Sequence, residues 1–227
     1  MKSPPHRTLT FVTGYFVALV GVAFLTGCSS DGGGDWIAMF QAARTSWEER
    51  DASVALKDAA SIPFATLGVR IDDGREQILI LALDTDGERL WTAASRIAIS
   101  MRGGRIIGTA GFGTDLSGFV SEQGTQEDWR QTHAYTWTGD FSDLGYYAVP
   151  VNCEVRPAGI DPITILGKSF DTVRVEETCR AEMLNWSYTN TYWVSAQSGR
   201  VWRSIAHFHP KGPALELEIL RPPLSSG

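Results

Sequence analysis

The chain has 227 residues, with 20 Lys and Arg against 26 Asp and Glu, so its formal charge is −6 at pH 7. An acidic protein repels nucleic-acid phosphates, and the composition therefore argues against a nucleic-acid partner. The length suits one domain or two small ones, with enough chain to bury a sizeable core.

The N-terminus has the pattern of a secretory signal peptide. Lys2 and Arg7 precede an uncharged, mostly apolar run over residues 9–25. The alternative is an uncleaved anchor helix, for which the run is slightly short. Leu25-Thr26-Gly27-Cys28 resembles a bacterial lipobox, which implies a signal peptide over residues 1–27 and a diacylglycerol on the sulfur of Cys28.

The expected lipid anchor bears on localisation. Without residues 1–27 the chain keeps 18 basic and 26 acidic residues, a formal charge of −8, so acyl chains rather than basic side chains would attach it to a membrane. Several acyl chains hold a protein stably, each buried CH₂ contributing about 0.8 kcal/mol. Ser29 stands where an inner-membrane retention signal would place Asp, and resemblance to other lipoproteins then favours the outer membrane.

The cysteine pattern predicts one disulfide. With Cys28 acylated, Cys153 and Cys179 remain as an even pair in an oxidising compartment. Valines alternate with each of these two cysteines, so each thiol shares a strand face with valines and should point inward. A bridge would contribute about 3.5 kcal/mol in the chain-entropy treatment. Two buried free thiols are the alternative.

The elements begin with a Gly/Ser tether over residues 28–34, which leads into a single predicted domain, residues 35–227. Apolar residues at helical spacing predict an N-terminal helical segment over 35–60, in two helices at about 36–50 and 53–60.

From residue 62 the apolar period changes to two, and turn signals recur at short spacing. The fold expected is mainly β, an antiparallel sandwich or open barrel after the short helical segment. The stretch 111–124, rich in Gly, Ser and Thr, is predicted to be a long loop. The predicted strands cover 62–71, 77–83, 89–94, 96–101, 105–109, 132–141, 146–156, 163–166, 172–180, 186–194, 200–208 and 215–219.

Patterns for catalysis are weak, and no catalytic residue or cofactor is predicted. The sequence has no Gly-x-Ser-x-Gly elbow. Glycoside hydrolysis needs two carboxylates. Three carboxylate pairs could in principle serve, but each is interpreted as a solvated strand face or a turn. These pairs are Asp72-Asp73, Glu176-Glu177 and Glu216/Glu218.

Metal ligands are also weakly indicated, and no metal site is predicted. His207 and His209 share a strand face and could supply two zinc ligands, but no third accompanies them. They are interpreted as exposed polar residues near a strand end. Asp84-Thr85-Asp86-Gly87 resembles the start of a calcium loop without its later ligands, so a turn is expected there.

Tryptophan is abundant, with 8 residues. Trp buries a large area and suits strands, so core packing is expected for most of these residues. Some could instead form a face that contacts glycan or protein. Trp193 and Trp202 flank one predicted hairpin and Arg203 follows, so these three residues are the candidate contact surface.

Several stretches, with the lipobox, resemble one known family. The most specific is the Tyr-Trp-Val…Gly-Arg-Val-Trp-Arg-Ser block within 192–204. Together they are similar to the YjbF/GfcB family, the group 4 capsule polysaccharide lipoproteins, over about residues 25–222. The weaker matches are Ile62–Ala65, Arg105–Thr109 with Gly111 and Asp115-Leu116, and Leu215–Leu220.

The resemblance implies a mainly β, non-catalytic lipoprotein, lipid-anchored on the periplasmic face of the outer membrane. It implies a role in export or assembly of capsule or exopolysaccharide, beside an outer-membrane β-barrel and a soluble periplasmic partner. The polysaccharide itself is a further candidate partner. Cys28 is the residue that the resemblance assigns to a function. A glycan-trimming periplasmic hydrolase and a purely structural envelope lipoprotein are the alternatives.

Overall fold

A computed structural model describes residues 62–72, 74, 76–121 and 129–223. It contains fourteen strands, of which twelve form one sheet in the order β5-β4-β3-β2-β1-β14-β13-β12-β11-β8-β7-β6. The strands are β1 Thr66–Ile71, β2 Gln77–Thr85, β3 Glu88–Thr92, β4 Ala98–Arg102, β5 Arg105–Ala110, β6 Gly118–Ser121, β7 His133–Phe141, β8 Tyr146–Ile160, β9 Ile163–Ile165, β10 Lys168–Phe170, β11 Thr172–Ala181, β12 Trp186–Ser195, β13 Val201–Ala206 and β14 Leu215–Arg221.

The sheet is antiparallel and curls into a nearly closed, barrel-like structure, so the open barrel is confirmed. Its two edge strands, β5 and β6, are consecutive in sequence. The connection between them follows the edge of β5, because Thr109 N–H donates to the Leu116 carbonyl at 3.0 Å. The Thr109 hydroxyl in turn donates to Asp115 at 3.0 Å. The segment between the two edge strands is therefore hydrogen-bonded to β5 and helps to bring the edges of the sheet together.

The predicted loop over 111–124 is wrong in part, since it contains β6. This strand pairs with β7, and Phe119 stacks on Trp137 with ring centroids 4.6 Å apart. Gly, Ser and Thr composition favours a loop, but a strand only four residues long gains its hydrogen bonds from a neighbour distant in sequence. Composition carries no information on that neighbour.

Side chains alternate between the interior and the outside of the barrel. In β8, Val149, Val151, Cys153 and Val155 are buried while the residues that alternate with them are exposed. The six tryptophans among the described residues divide equally between buried and half-buried positions. Trp91, Trp129 and Trp137 are buried, and Trp186, Trp193 and Trp202 are half-buried.

The predicted disulfide is confirmed. Cys153 in β8 and Cys179 in β11 lie directly opposite each other on neighbouring strands, with their Cα atoms 4.1 Å apart. Both side chains face the interior, at 3% and 1% exposure. The alternation of valines with each cysteine thus predicted the inward direction of both thiols.

A small hairpin, β9–β10, lies outside the large sheet. The Phe170 ring of this hairpin packs 4.2 Å from the Trp202 ring, so the hairpin covers part of the outer face of the barrel. Strand β9 was predicted from its alternating Ile163 and Ile165, whereas β10 was not, since it contains one apolar residue and shows no alternation.

The signal peptide, Cys28, the tether and the helical segment 35–60 fall outside the described residues. Among the residues that are described, no helix is long and apolar enough to cross a membrane.

Candidate functional site

The barrel interior holds a buried ion pair. Glu177 lies in β11, and its Oε1 accepts a hydrogen bond from Nε of Arg105 at 2.6 Å. The side chains are 2% and 5% exposed. Arg105 begins the edge strand β5, so the pair joins one edge of the open sheet to a strand in its far half. It thereby crosses the interior of the barrel.

Three neutral side chains complete the surroundings of Glu177. Tyr135 donates to Oε1 at 2.8 Å, while Tyr192 and Asn190 donate to Oε2 at 2.8 and 2.9 Å. The amide oxygen of Asn190 accepts the backbone N–H of His207 at 2.8 Å. We call Arg105, Tyr135, Glu177, Asn190 and Tyr192 the Glu177 network.

The charges of the network follow from burial and proximity. Burial alone would raise the pKa of Glu177, but the positive charge of Arg105 and the donated hydrogen bonds together hold that pKa below its usual value. Burial likewise disfavours the charged guanidinium, yet Glu177 raises the pKa of Arg105. Burial, followed by the charge of Glu177, raises the pKa values of Tyr135 and Tyr192. At neutral pH the network is therefore an ion pair with protonated tyrosines.

This arrangement is typical of a structural ion pair rather than of a catalytic acid or base. Both oxygens of Glu177 are occupied by donors, and its lowered pKa makes it a poor proton donor. The guanidinium of Arg105 also lies 4.0 Å from the centroid of the Trp129 ring, a cation–π contact. The adjoining cavity measures about 20 Å³, room for about one water molecule.

The interpretation of Glu176-Glu177 as a solvated pair is wrong for one of the two residues. Glu176 points outward and pairs with Arg174 at 3.1 Å, whereas Glu177 is buried. The signal for this was present in the sequence. Glu177 lies two residues from both Val175 and Cys179, whose shared face was predicted to point inward.

The interpretation of His207 and His209 as exposed residues is also wrong. His209 is 1% exposed; its Nδ1 accepts the Lys211 backbone N–H at 3.1 Å, so Nε2 carries the proton and donates to Asp143 at 3.0 Å. His207 is half-buried, and burial lowers its pKa. Within the described ranges, no group of three His, Cys, Asp or Glu side chains could hold a metal ion.

A cleft of about 240 Å³, which we call the end cleft, opens at one end of the barrel. Its floor is apolar and formed by buried side chains, among them Leu67, Trp91 and Leu217. Two turns form part of its rim: Gly103-Gly104 between β4 and β5, and Ser198–Arg200 between β12 and β13.

The two rim turns lie close together because of one glycine. Gly104 has φ +94°, and a Cβ at this position would collide with Val201. Only glycine allows both the backbone conformation and the close approach. Arg105 follows this turn directly and points into the interior. One turn therefore positions both a member of the Glu177 network and part of the rim of the end cleft.

The charged side chains among the described residues of the cleft wall are all arginines: Arg89, Arg200 and Arg203. Arg89 pairs with Asp84 at 3.0 Å, and Arg203 pairs with Glu218. Arg200 therefore contributes the uncompensated positive charge of this wall, in a chain of net negative charge.

The predicted contact residues come together around this wall. Trp202 and Arg203 line the end cleft, and Trp193 lies beside it with its centroid 5.7 Å from the Arg203 guanidinium. Trp193 also donates from Nε1 to Asp161 at 2.8 Å. All three are half-buried, and Phe170 covers part of Trp202. Their role in binding stays a prediction, and no local pattern indicated that Arg89 would join them.

Comparison with known proteins agrees with this architecture. A family model described as group 4 capsule polysaccharide lipoprotein GfcB, YjbF matches residues 36–220. The Escherichia coli K12 protein named uncharacterized lipoprotein GfcB is 21% identical over 207 residues, which cover 88% of this chain and 94% of that protein. The crystal structure of the hypothetical lipoprotein YmcC from E. coli K12 has the same fold, with a TM-score of 0.61 and 17% identity. That similarity covers 86% of this chain and 100% of that one.

Proposed function

The chain belongs to the family of group 4 capsule polysaccharide lipoproteins, and from that premise we propose that it is a non-catalytic accessory of capsule or exopolysaccharide export or assembly. In this proposal an acylated Cys28 anchors the barrel at the periplasmic face of the outer membrane. There it works beside an outer-membrane β-barrel and a soluble periplasmic partner. The observation that carries the proposal is the family match, which spans nearly every strand of the sheet.

The interior of the barrel is filled with side chains, which favours a protein that contacts partners or glycan at its surface over one that conducts a saccharide through its interior. Aromatic side chains and the Glu177 network fill it, and the cavity there has room for about one water molecule. A saccharide chain has no path through such a core. Contacts with a partner or a glycan must then use the outer faces or the end cleft.

Glycan trimming is the second candidate, and one carboxylate gives it a specific location. Burial raises the pKa of Glu76, with Glu218 nearby adding to the shift, as a general acid would require. However, the Glu76 side chain is 10% exposed, and its carboxylate packs over Gly68. Glu218 is ion-paired with Arg203. Access to a glycosidic oxygen is therefore poor, and we favour the non-catalytic function.

The test uses the native host with its chromosomal gene deleted and replaced by variants of the full chain. Cys28→Ala removes the acylation site. Ser29→Asp is the second variant: it keeps the acylation site but introduces the inner-membrane retention signal, so it tests the location of the anchor separately from its presence. Surface polysaccharide is quantified, and the protein is cross-linked in intact cells and its partners identified by mass spectrometry.

We expect the deletion to reduce surface polysaccharide, the wild-type gene to restore it, and neither variant to do so. An outer-membrane β-barrel should cross-link to the wild-type protein and be lost with both variants. Normal surface polysaccharide in the deletion strain would refute the proposal. If Glu76→Gln instead lengthens the secreted chains while the cross-links persist, the protein is a trimming hydrolase.

A further inference from the structure

We propose that the end cleft binds a sugar residue bearing a carboxylate, with Arg200 as its main anion contact. This inference rests on the proposed function and names a ligand class for it. The wall supplies the charge, since its charged side chains in the described part of the chain are all arginines. Two half-buried side chains of the lining, Trp202 and Ile219, supply an apolar surface.

Arg200 differs from the other two arginines in its surroundings. Arg89 and Arg203 each have a carboxylate partner, but no carboxylate of the described residues lies within 4.0 Å of Arg200. Its guanidinium lies 5.3 Å from the centroid of the Trp202 ring, which orients it. Arg200 is half-buried and lines the cleft, so an oriented cation faces it without a carboxylate partner among the described residues. Guanidinium groups bind carboxylates through charge-assisted, often bidentate hydrogen bonds.

A second observation points to a ligand with hydroxyl groups. Ser204 lines the cleft at 1% exposure, and among the described residues its hydroxyl has no hydrogen-bond partner. A buried hydroxyl is costly unless it is bonded. A sugar can supply such a bond to the wall, given a small movement of the site on binding.

The size and apolar lining of the cleft favour a sugar over a bare anion. Its 240 Å³ lies below the roughly 300–1,000 Å³ of sites for drug-sized ligands, so it suits about one saccharide unit. The apolar face of a pyranose ring can pack against Trp202 and Ile219, the half-buried apolar side chains of the lining, while its carboxylate reaches Arg200. A phosphate from a lipid headgroup would satisfy the arginine and leave these apolar side chains uncovered.

The test measures binding to the full chain, purified from membranes in detergent, by saturation-transfer NMR and titration. The acidic probes are D-glucuronate, D-galacturonate and N-acetylneuraminate. D-Glucose is the neutral control, and inorganic phosphate represents the headgroup anion. The variants are Arg200→Gln and Ser204→Ala. Arg156→Gln is the matched control, since Arg156 is an arginine of the outer face that is 66% exposed.

We expect at least one acidic sugar to bind more tightly than glucose and phosphate. Arg200→Gln should weaken it about tenfold, the usual scale of one charge-assisted contact, and binding should weaken with added salt. Arg200→Lys should restore part of the affinity, Ser204→Ala should reduce it, and Arg156→Gln should leave it unchanged. Unchanged thermal unfolding of each variant would show that the fold persists.

Four outcomes would overturn the inference: no binding by any of the acidic sugars, equal binding of glucose, equal affinity in Arg200→Gln, or tighter binding of phosphate, which would assign the site to a headgroup anion. These results come from purified protein and do not depend on the deletion strain. Failure of the site and failure of the proposed function are therefore distinguishable.

Discussion

Replacement of Arg105 by Met should destabilise the barrel strongly. The change keeps much of the side-chain packing against Trp129 but leaves the charge of Glu177 buried without a counter-ion. Breaking a buried pair by removing one partner costs about 3–5 kcal/mol. Since whole domains are stable by only about 5–15 kcal/mol, this is a large fraction of the total.

The assay is urea unfolding at pH 7, followed by tryptophan fluorescence. With m-values of about 1–3 kcal/mol per molar urea, the midpoint should fall by at least about 1 M. The matched control is Arg180→Met. Arg180 forms an ion pair with Glu182 at 2.7 Å, almost the distance of the buried pair, but the side chains are 64% and 70% exposed. Exposed pairs contribute about 0–1 kcal/mol.

A double-mutant cycle with Glu177→Gln separates the pair from its surroundings. The amide introduced by this substitution can still accept and donate hydrogen bonds within the network, and the double variant has no buried charge. We expect the double variant to be more stable than Arg105→Met alone, so the two costs should be strongly non-additive. A cost of Arg105→Met no larger than that of Arg180→Met, or simple addition of the two costs in the double variant, would contradict this prediction.

Three further predictions concern the core, the rim of the end cleft and pH. Reduction of Cys153–Cys179, or replacement of both residues by Ala, should lower the free energy of unfolding by about 3.5 kcal/mol, measured in urea with and without reductant. Gly104→Ala should lower the Tm more than Gly87→Ala; both positions have positive φ, but only at 104 does a Cβ collide with a neighbour. Because the fold lowers the pKa of Glu177, its stabilisation is present above the ordinary value of 4.5 and lost as pH falls through the folded pKa. Urea midpoints at decreasing pH should therefore fall less steeply in Glu177→Gln than in the wild type, and equal slopes would contradict this.

Local patterns predicted most of the sheet because its strands are long enough to show their period. Alternation in β8 extends over several buried valines, and the two-residue turn Asp86-Gly87 between β2 and β3 uses residues that accept positive φ. The prediction left a sandwich and an open barrel equally acceptable. That choice depends on how the edges β5 and β6 approach each other, which no local period encodes.

The interior polar cluster could be predicted only in part. The strand face that carries Val175 and Cys179 also carries Glu177, so its burial followed from a pattern already recognised. Its partner Arg105 is 72 residues away and lies on an edge strand. Contacts of that range follow from sheet order and barrel closure rather than from sequence spacing.

The end cleft and the Glu177 network are physically connected, which bears on where a ligand can act. Gly103-Gly104 forms part of the cleft rim, and the next residue, Arg105, is fixed in the interior by Glu177. The facing turn, Ser198–Arg200, is held against Gly104 through Val201. A rim supported from both sides keeps Arg200 in place before a ligand arrives, so binding need not order the turns. The buried ion pair then serves the site indirectly, by holding the edge strand that carries half of its rim.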